Sequence, residues 1–305
     1  MIKFIVRRLI LLIPVLIGVS VIAFLMLHLA PGDPAKLLAG LEASAEDVAA
    51  LRVRFGLDKP LFVQYFMFLK GIFDGSLISL KYEMPVVNVI APRILNTLKL
   101  SCASILVALT VGMIAGILSA VRRHSIVDYI ATTMALLGVS MPVFWWGLIL
   151  IMIFSVYLMW LPSGGMGDLR HLILPAIVLG TSSAGVIARM TRSSMMDILK
   201  QDYITAAKAK GLPSRIVVYR HALRNALIPT VTVVGLEFGY MLAGAVLTET
   251  VFSWPGIGRL IVDSIMARDY PVVQASLVLV AGLFVMVNLG VDILYAFLDP
   301  RIRYD

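Results

Sequence analysis

The sequence predicts an all-α integral membrane protein with six transmembrane helices and both termini in the cytoplasm. Three observations carry that prediction. Hydrophobic residues make up 60% of the 305-residue chain, the mean hydropathy is +0.95, and apolar runs of membrane-spanning length recur along it. Length alone would suggest two soluble domains, but with only 14% charged residues composition overrides that expectation.

Six stretches are long enough to cross about 30 Å of hydrocarbon at roughly 1.5 Å per residue. They are approximately 9–30, 97–120, 129–157, 171–188, 229–250 and 273–298. The first follows Lys3, Arg7 and Arg8, as a secretory signal would, but it is too long for a signal core. No A-x-A-like site follows it either, so it reads as an uncleaved span. Lys and Arg set the orientation. The segments 1–8, 121–128, 189–228 and 299–305 hold 15 of them in 63 residues, against 10 in 101 on the other side. The denser set belongs in the cytoplasm. The net charge of +8 is therefore spread over four short segments, whereas a nucleic-acid binder gathers its charge on one face. A lone cysteine, Cys102, excludes internal disulfides and multi-cysteine metal sites, and its apolar run predicts a packed, inert thiol.

The long external stretch 31–96 opens on the turn-rich APGDP. Ser44 and Asp47 have capping-box spacing for a helix that presents Val48, Leu51 and Phe55, with Gly56 as its stop. The aromatic, amphipathic LFVQYFMFLKGIF (61–73) is too short to cross and either lies at the interface or docks on the spans. In the last external loop (251–274), Trp254 and Tyr270 bracket a helix-length apolar piece as interfacial anchors would. Ala108, Gly112 and Gly116 recur at helical spacing and predict close approach of the second span to a neighbour. Pro142, in GVSMPVFWWG, should kink or unwind the third span, as a packing device or as part of a transport pathway.

Between two apolar runs the chain reads ITAAKAKGLPSR (204–215). Asp202 can cap a short helix through Ile204, Ala206, Ala207 and Ala209. Gly211 then supplies a left-handed stop, and Pro213 prevents continuation. Ser214 can cap a second helix leading to Pro229. A solvated loop, a DNA-reading helix-turn-helix and a docking helix for a cytoplasmic partner all compete. The ordered caps oppose the first, and tethering at both ends without a third helix opposes the second. An alanine-surfaced helix suited to another protein's groove remains.

These residues resemble the membrane-spanning permease subunits of ABC-type importers in the peptide/nickel group. The family's cytoplasmic signature, E-A-A-x3-G, is matched by Ala206, Ala207 and Gly211, with Thr205 in place of the glutamate and Pro229 later than usual. PGDP (31–34), FGLDKPLFVQY (55–65), TETVFSWPGIGR (248–259), RDYPVVQ (268–274) and the closing DPRIRYD extend the resemblance over the whole chain. It implies the type I ABC importer permease fold in a bacterial cytoplasmic membrane. Residues 1–96 would hold the first helix and the long extracytoplasmic region, and 97–305 a five-helix permease core. It further implies a second, homologous permease subunit, two cytoplasmic ATPase subunits and an extracytoplasmic solute-binding protein as partners. Asp202, Tyr203, Ala206, Ala207, Lys208 and Gly211 would form the coupling helix seated on an ATPase.

The residues agree with that division. No G-x-x-x-x-G-K-[ST] occurs, so no P-loop binds nucleotide here. His28, His124, His171 and His221 are scattered without metal-ligand spacing, and GGMG (164–167) reads as a turn. The chain is expected to bind no cofactor and catalyse nothing, with ATP and magnesium held by the ATPase subunits. Glu237, deep in the fifth span within GLEFG, faces the pathway or hydrogen-bonds inside the bundle, and Gly235 and Gly239 allow a helix or ligand to approach it. Asn288 joins it and Pro142 as pathway candidates. Asp292, near the cytoplasmic end of the sixth span, suits an ion pair with a basic loop. The alternative function is a stand-alone secondary transporter or channel, although the halves show no convincing repeat.

Overall fold

The computed structural model describes residues 2–29, 34–40, 43–54 and 56–298. Expectations for 30–33, Phe55 and the 299–305 ending lie outside them. α1 (Ile2–Leu29) is one apolar helix, and its Ile10, Ile13, Ile17 and Ile22 stay exposed, as a lipid-facing surface requires. α2 (Pro34–Ala39) and α3 (Ala45–Arg54) follow. The expected capping box forms at α3: the Asp47 amide donates to Ser44 Oγ at 3.1 Å, and the Ser44 amide donates to the Asp47 carboxylate at 3.0 Å. The Ser44 hydroxyl, which donates to the same carboxylate at 2.7 Å, together with the Ser44 amide holds the Asp47 carboxyl below the usual carboxylate range.

α4 (Leu61–Asp74) covers the aromatic segment and docks on α1. Tyr65 Oη lies 2.8 Å from Ser20 Oγ, and the rings of Tyr65 and Phe68 sit 5.5 and 6.0 Å from that of Phe24. α5 (Val86–Val121) begins at Val86 rather than near residue 97, so 86–96 belong to the helix instead of the preceding loop. Proline disfavours helix at the residue before it and carries no amide to donate. Pro142 accordingly divides the third expected span. Met141 takes extended backbone, and α6 (Ile126–Ser140) meets α7 (Val143–Leu150) and its π-helical continuation 151–157 at 107°. The anticipated kink is a complete break. Among the described residues, five helices are long and apolar enough to cross, or six with this bent pair taken as one span.

α8 (Arg170–Leu199) exceeds the expected 171–188 because its polar second half stays helical. α9 (Asp202–Ala209) comes next. α10 (Ser214–Ile216) passes through a π-helical segment (217–222) into α11 (Leu223–Gly244). The fifth span therefore stops short of residue 250. α12 (Val246–Val251), α13 (Ile257–Met266) and α14 (Tyr270–Leu298) complete the chain.

Apolar burial does not drive helices together in lipid, so close backbone approach must. α5 and α8 share the most extensive interface, and the small residues of α5 explain it. A Cβ on Gly112 would lie 2.7 Å from the Ala184 carbonyl oxygen, and one on Gly116 2.6 Å from that of Ala188. Ala108, one turn earlier, is fully buried. α11 closes this core through Met241, joined by Ala245 just beyond its end. At one end of the bundle α13 packs between the beginnings of α5 and α14. At the other end α9 packs among the ends of α5 and α8 and the helix entering α11. The start of α1 and the end of α14 meet at that α9 end, where Arg8 pairs with Asp292 at 2.8 Å. Asp292 thus pairs with a helix rather than with a loop. Cys102 is exposed on α5 and free, not packed as its apolar run suggested; the face it occupies looks outward from the bundle.

Candidate coupling and pathway sites

α9 is short, and an eight-residue helix does not hold itself together. Its sequence supplies the missing constraints. At its C-terminus, the Gly211 amide donates to the Lys208 carbonyl at 3.0 Å and the Leu212 amide to the Ala207 carbonyl at 3.4 Å. Gly211 sits at φ +78°. This is a Schellman closure, and it requires a residue at ease in left-handed backbone. The N-terminus departs from expectation: Gln201 is the cap residue and uses no side chain, while Asp202 is the first helical residue. Asp202 contributes its charge at the positive end of the helix dipole instead. Ser214 is likewise the first residue of α10, preceded by Pro213 at the cap.

The two faces of α9 differ. Ile204 and Ala207 are buried, packed with Ala120 of α5, Met195 of α8, Val217 and Ala222. Asp202, Tyr203, Thr205, Ala206 and Lys208 are exposed. Tyr203 is held from below, its hydroxyl accepting from Asn225 Nδ2 at 2.8 Å. The alanine pair therefore splits: Ala207 anchors the helix to the bundle, and Ala206 looks away from it. The result is a small-residue ledge presented by a rigid seat.

The pathway candidates do not converge. Glu237 accepts a 2.5 Å hydrogen bond from the Ser183 hydroxyl of α8. Gly235 and Gly239 point elsewhere, towards α14, where an added Cβ would meet Val291 at 2.1 Å and Phe284 at 3.1 Å. They admit a helix, but not beside Glu237. Asn288 of α14 faces Gly239, and its Oδ1 is buried with no hydrogen-bond partner among the described residues. Pro142 lies at the α6–α7 break.

One constellation at the α13 end was not legible as a site. Glu249 is fully buried. It accepts from the Thr97 hydroxyl at 2.6 Å and from the Arg259 amide at 3.0 Å, while Thr97 Oγ1 accepts from the Ile257 amide at 2.8 Å. Glu249 and Thr97 thereby satisfy the free amides that begin α13, doing in trans what a cap residue does in cis. The carboxylate approaches so closely that a Cβ on Gly256 would lie 2.0 Å from Glu249 Oε1. Alongside, Trp254 Nε1 donates to the Asn96 carbonyl at 3.0 Å and Asn96 Nδ2 to the Pro255 carbonyl at 2.9 Å. Trp254 is buried, so it bolts the loop to α5 instead of anchoring it at a membrane interface. The glycine-rich 164–167 turn packs against the same loop, the Gly165 amide donating to the Phe252 carbonyl at 2.8 Å.

This architecture, a lipid-exposed helical bundle with a braced helical ledge at one end, agrees with sequence comparison. Residues 112–304 match the family described as binding-protein-dependent transport system inner membrane component, and 1–99 match its N-terminal companion. The chain belongs to that family. It is the permease subunit of a binding-protein-dependent ABC importer, a multi-pass protein of the bacterial inner membrane.

Relatives of the permease align over its full length. The dipeptide transport system permease protein DppB of Alkalihalophilus pseudofirmus is 44% identical, covering 100% of both chains. The glutathione transport system permease protein GsiC of Escherichia coli K12 is 46% identical, again over 100% of both. The Escherichia coli K12 DppB is 45% identical over 100% of this chain and 99% of its own. Among solved structures, an inward-facing MetNI methionine ABC transporter shares the fold, with a TM-score of 0.61 at 18% identity over 70% of the permease and 98% of that chain.

Proposed function

We propose that the permease forms half of a translocation pathway for short peptides or a related solute. In this reading a second, homologous permease supplies the other half, an extracytoplasmic binding protein delivers the solute, and two cytoplasmic ATPase subunits supply the work. α9 is the coupling helix, the end of the bundle that carries it is cytoplasmic, and residues 97–305 are the permease core behind an N-terminal, partly extracytoplasmic 1–96 region. ATP and magnesium reside in the ATPase subunits, with no cofactor on this chain. The observation that supports this best is the two-faced α9: its inner face is seated on three helices, and its outer face offers Ala206 and Lys208 to a groove. The names of the full-length relatives support a peptide-like solute, since dipeptides and glutathione share a peptide backbone and charged ends.

Two readouts on one preparation test the proposal. The tagged permease, drawn gently from native membranes, should bring one related permease and two ATPase subunits with it. The same complex in proteoliposomes, given its binding protein and ATP, should accumulate alanyl-alanine or glutathione and not free methionine. Recovery of the permease alone, or only with copies of itself, contradicts the assembly. Import of free amino acids with neither peptide contradicts the solute class.

A further inference from the structure

A second polar cluster lies one helical turn from the seat of α9, and the coupling reading makes no use of it. Asp128, in the first turn of α6, is 4% exposed. Almost everything that holds it comes from other elements. Arg192 of α8 grips it with two bonds, Nε to Oδ1 at 2.9 Å and Nη2 to Oδ2 at 3.0 Å. The Ser119 hydroxyl of α5 also donates to it, as does the His124 amide at 3.0 Å. His124 reaches that position with φ +62°, left-handed backbone that a non-glycine residue adopts at a cost. Arg192 Nε contacts Ser119 Oγ as well, at 2.8 Å. A forked guanidinium–carboxylate contact fixes direction as well as distance, and separating its members strands a buried charge.

The position of this cluster gives it a consequence. Ser119 precedes Ala120, and Arg192 lies one turn before Met195. Ala120 and Met195 are the residues of α5 and α8 on which Ile204 and Ala207 of α9 rest. Among the described residues, it is the charged link between the turn joining α5 to α6 and the helix leading into α9. We propose that Asp128 and Arg192 are positioning residues. They clamp the α5–α6 turn to α8, so that a displacement of α9 carries α5 and α6 with it rather than bending α8 alone. The proposal rests on the reading of α9 as the coupling helix, and it adds the route by which that motion reaches α6 and the Pro142 break.

Distance measurement tests it without knowledge of the solute. With Cys102 replaced by serine, spin labels at Arg123→Cys in the turn and Asp197→Cys on α8 report their separation in the assembled importer in proteoliposomes. The intact clamp should give the same separation in the nucleotide-free and ATP–vanadate-trapped states. Asp128→Asn and Arg192→Gln should each make the separation shift between those states while ATP hydrolysis persists, and Arg192→Lys should stay closer to the unaltered clamp than Arg192→Gln. A separation that already shifts with the clamp intact overturns the proposal, as does invariance in both single variants. Should either fail to assemble, Ser119→Ala, which removes one hydroxyl, gives the same comparison. The underlying reading fails separately: if Gly211→Val still recruits the ATPase subunits, α9 is not the coupling helix, whatever the labels show. Loss of recruitment in Gly211→Val with no shift in Asp128→Asn sinks the clamp alone.

Discussion

Replacing Glu249 with alanine is expected to loosen the α13 end of the permease and lower its thermal inactivation midpoint in detergent. The carboxylate is fully buried and accepts from Thr97 and from the Arg259 amide. Alanine leaves both donors without partners where water does not reach. At roughly 1–3 kcal/mol per stranded donor, the loss amounts to about 2–6 kcal/mol. Glu249→Gln keeps one acceptor oxygen and should lose less. Because Arg259 lies in the first turn of α13 and Arg268 just beyond its end, limited trypsin digestion should cut there earlier in the alanine variant. Equal midpoints and equal digestion for wild type and Glu249→Ala would show that the Glu249 carboxylate does not hold α13 in place.

Gly211→Val should leave the spans assembled and release the ATPase subunits. Nothing lies within 4 Å of a Cβ built at Gly211, so steric crowding is not the obstacle. The backbone is: at φ +78° a side chain costs about 1–3 kcal/mol, and a β-branched one sits at the upper end. α9 has only eight residues to resist that strain, and its closing turn is what yields. Asparagine tolerates left-handed backbone better than other side chains, so Gly211→Asn should retain most of the recruitment that valine abolishes. Co-purification of the ATPase with each variant, together with solute-stimulated ATP hydrolysis, checks the order glycine, asparagine, valine. Wild-type behaviour of the valine variant would contradict the role given to α9.

What could be read from the sequence follows from how locally each feature is determined. The Ser44–Asp47 capping box, the Gly211 stop and the helix-spaced Ala108, Gly112 and Gly116 each depend on residues within a few positions, and all three appear as anticipated. Apolar runs marked helices but not their ends. α8 continues through polar residues because Arg192 and the seat of α9 engage its far half, a stabilisation that no hydropathy window contains. Pro142 signalled a disturbance, yet the size of the bend depends on neighbouring helices. Trp254, Glu249 and Asp128 were beyond reach for a plainer reason. Thr97 is 152 positions from Glu249, Asn96 158 from Trp254 and Arg192 64 from Asp128. An acid at the end of an apolar run, followed by Pro-Gly-Ile-Gly, was the available signal for Glu249. It marks a close backbone approach without saying to what. Cys102 was misplaced because an apolar neighbourhood means burial in a soluble protein, whereas a span is also apolar where it faces outward.

The most direct test of the coupling assignment is a photo-cross-linking scan along α9 in the intact importer. Cross-linking residues placed singly at Thr205, Ala206 and Lys208, on the outer face, should each yield an adduct with an ATPase subunit. At Ile204, which packs against α8 and the helix entering α11, the cross-linker should capture only the permease itself. That alternation follows from the two faces of α9. Adducts with the ATPase from Ile204, or none from the three outer positions, would contradict the assignment of α9 as the helix through which ATP hydrolysis moves the permease.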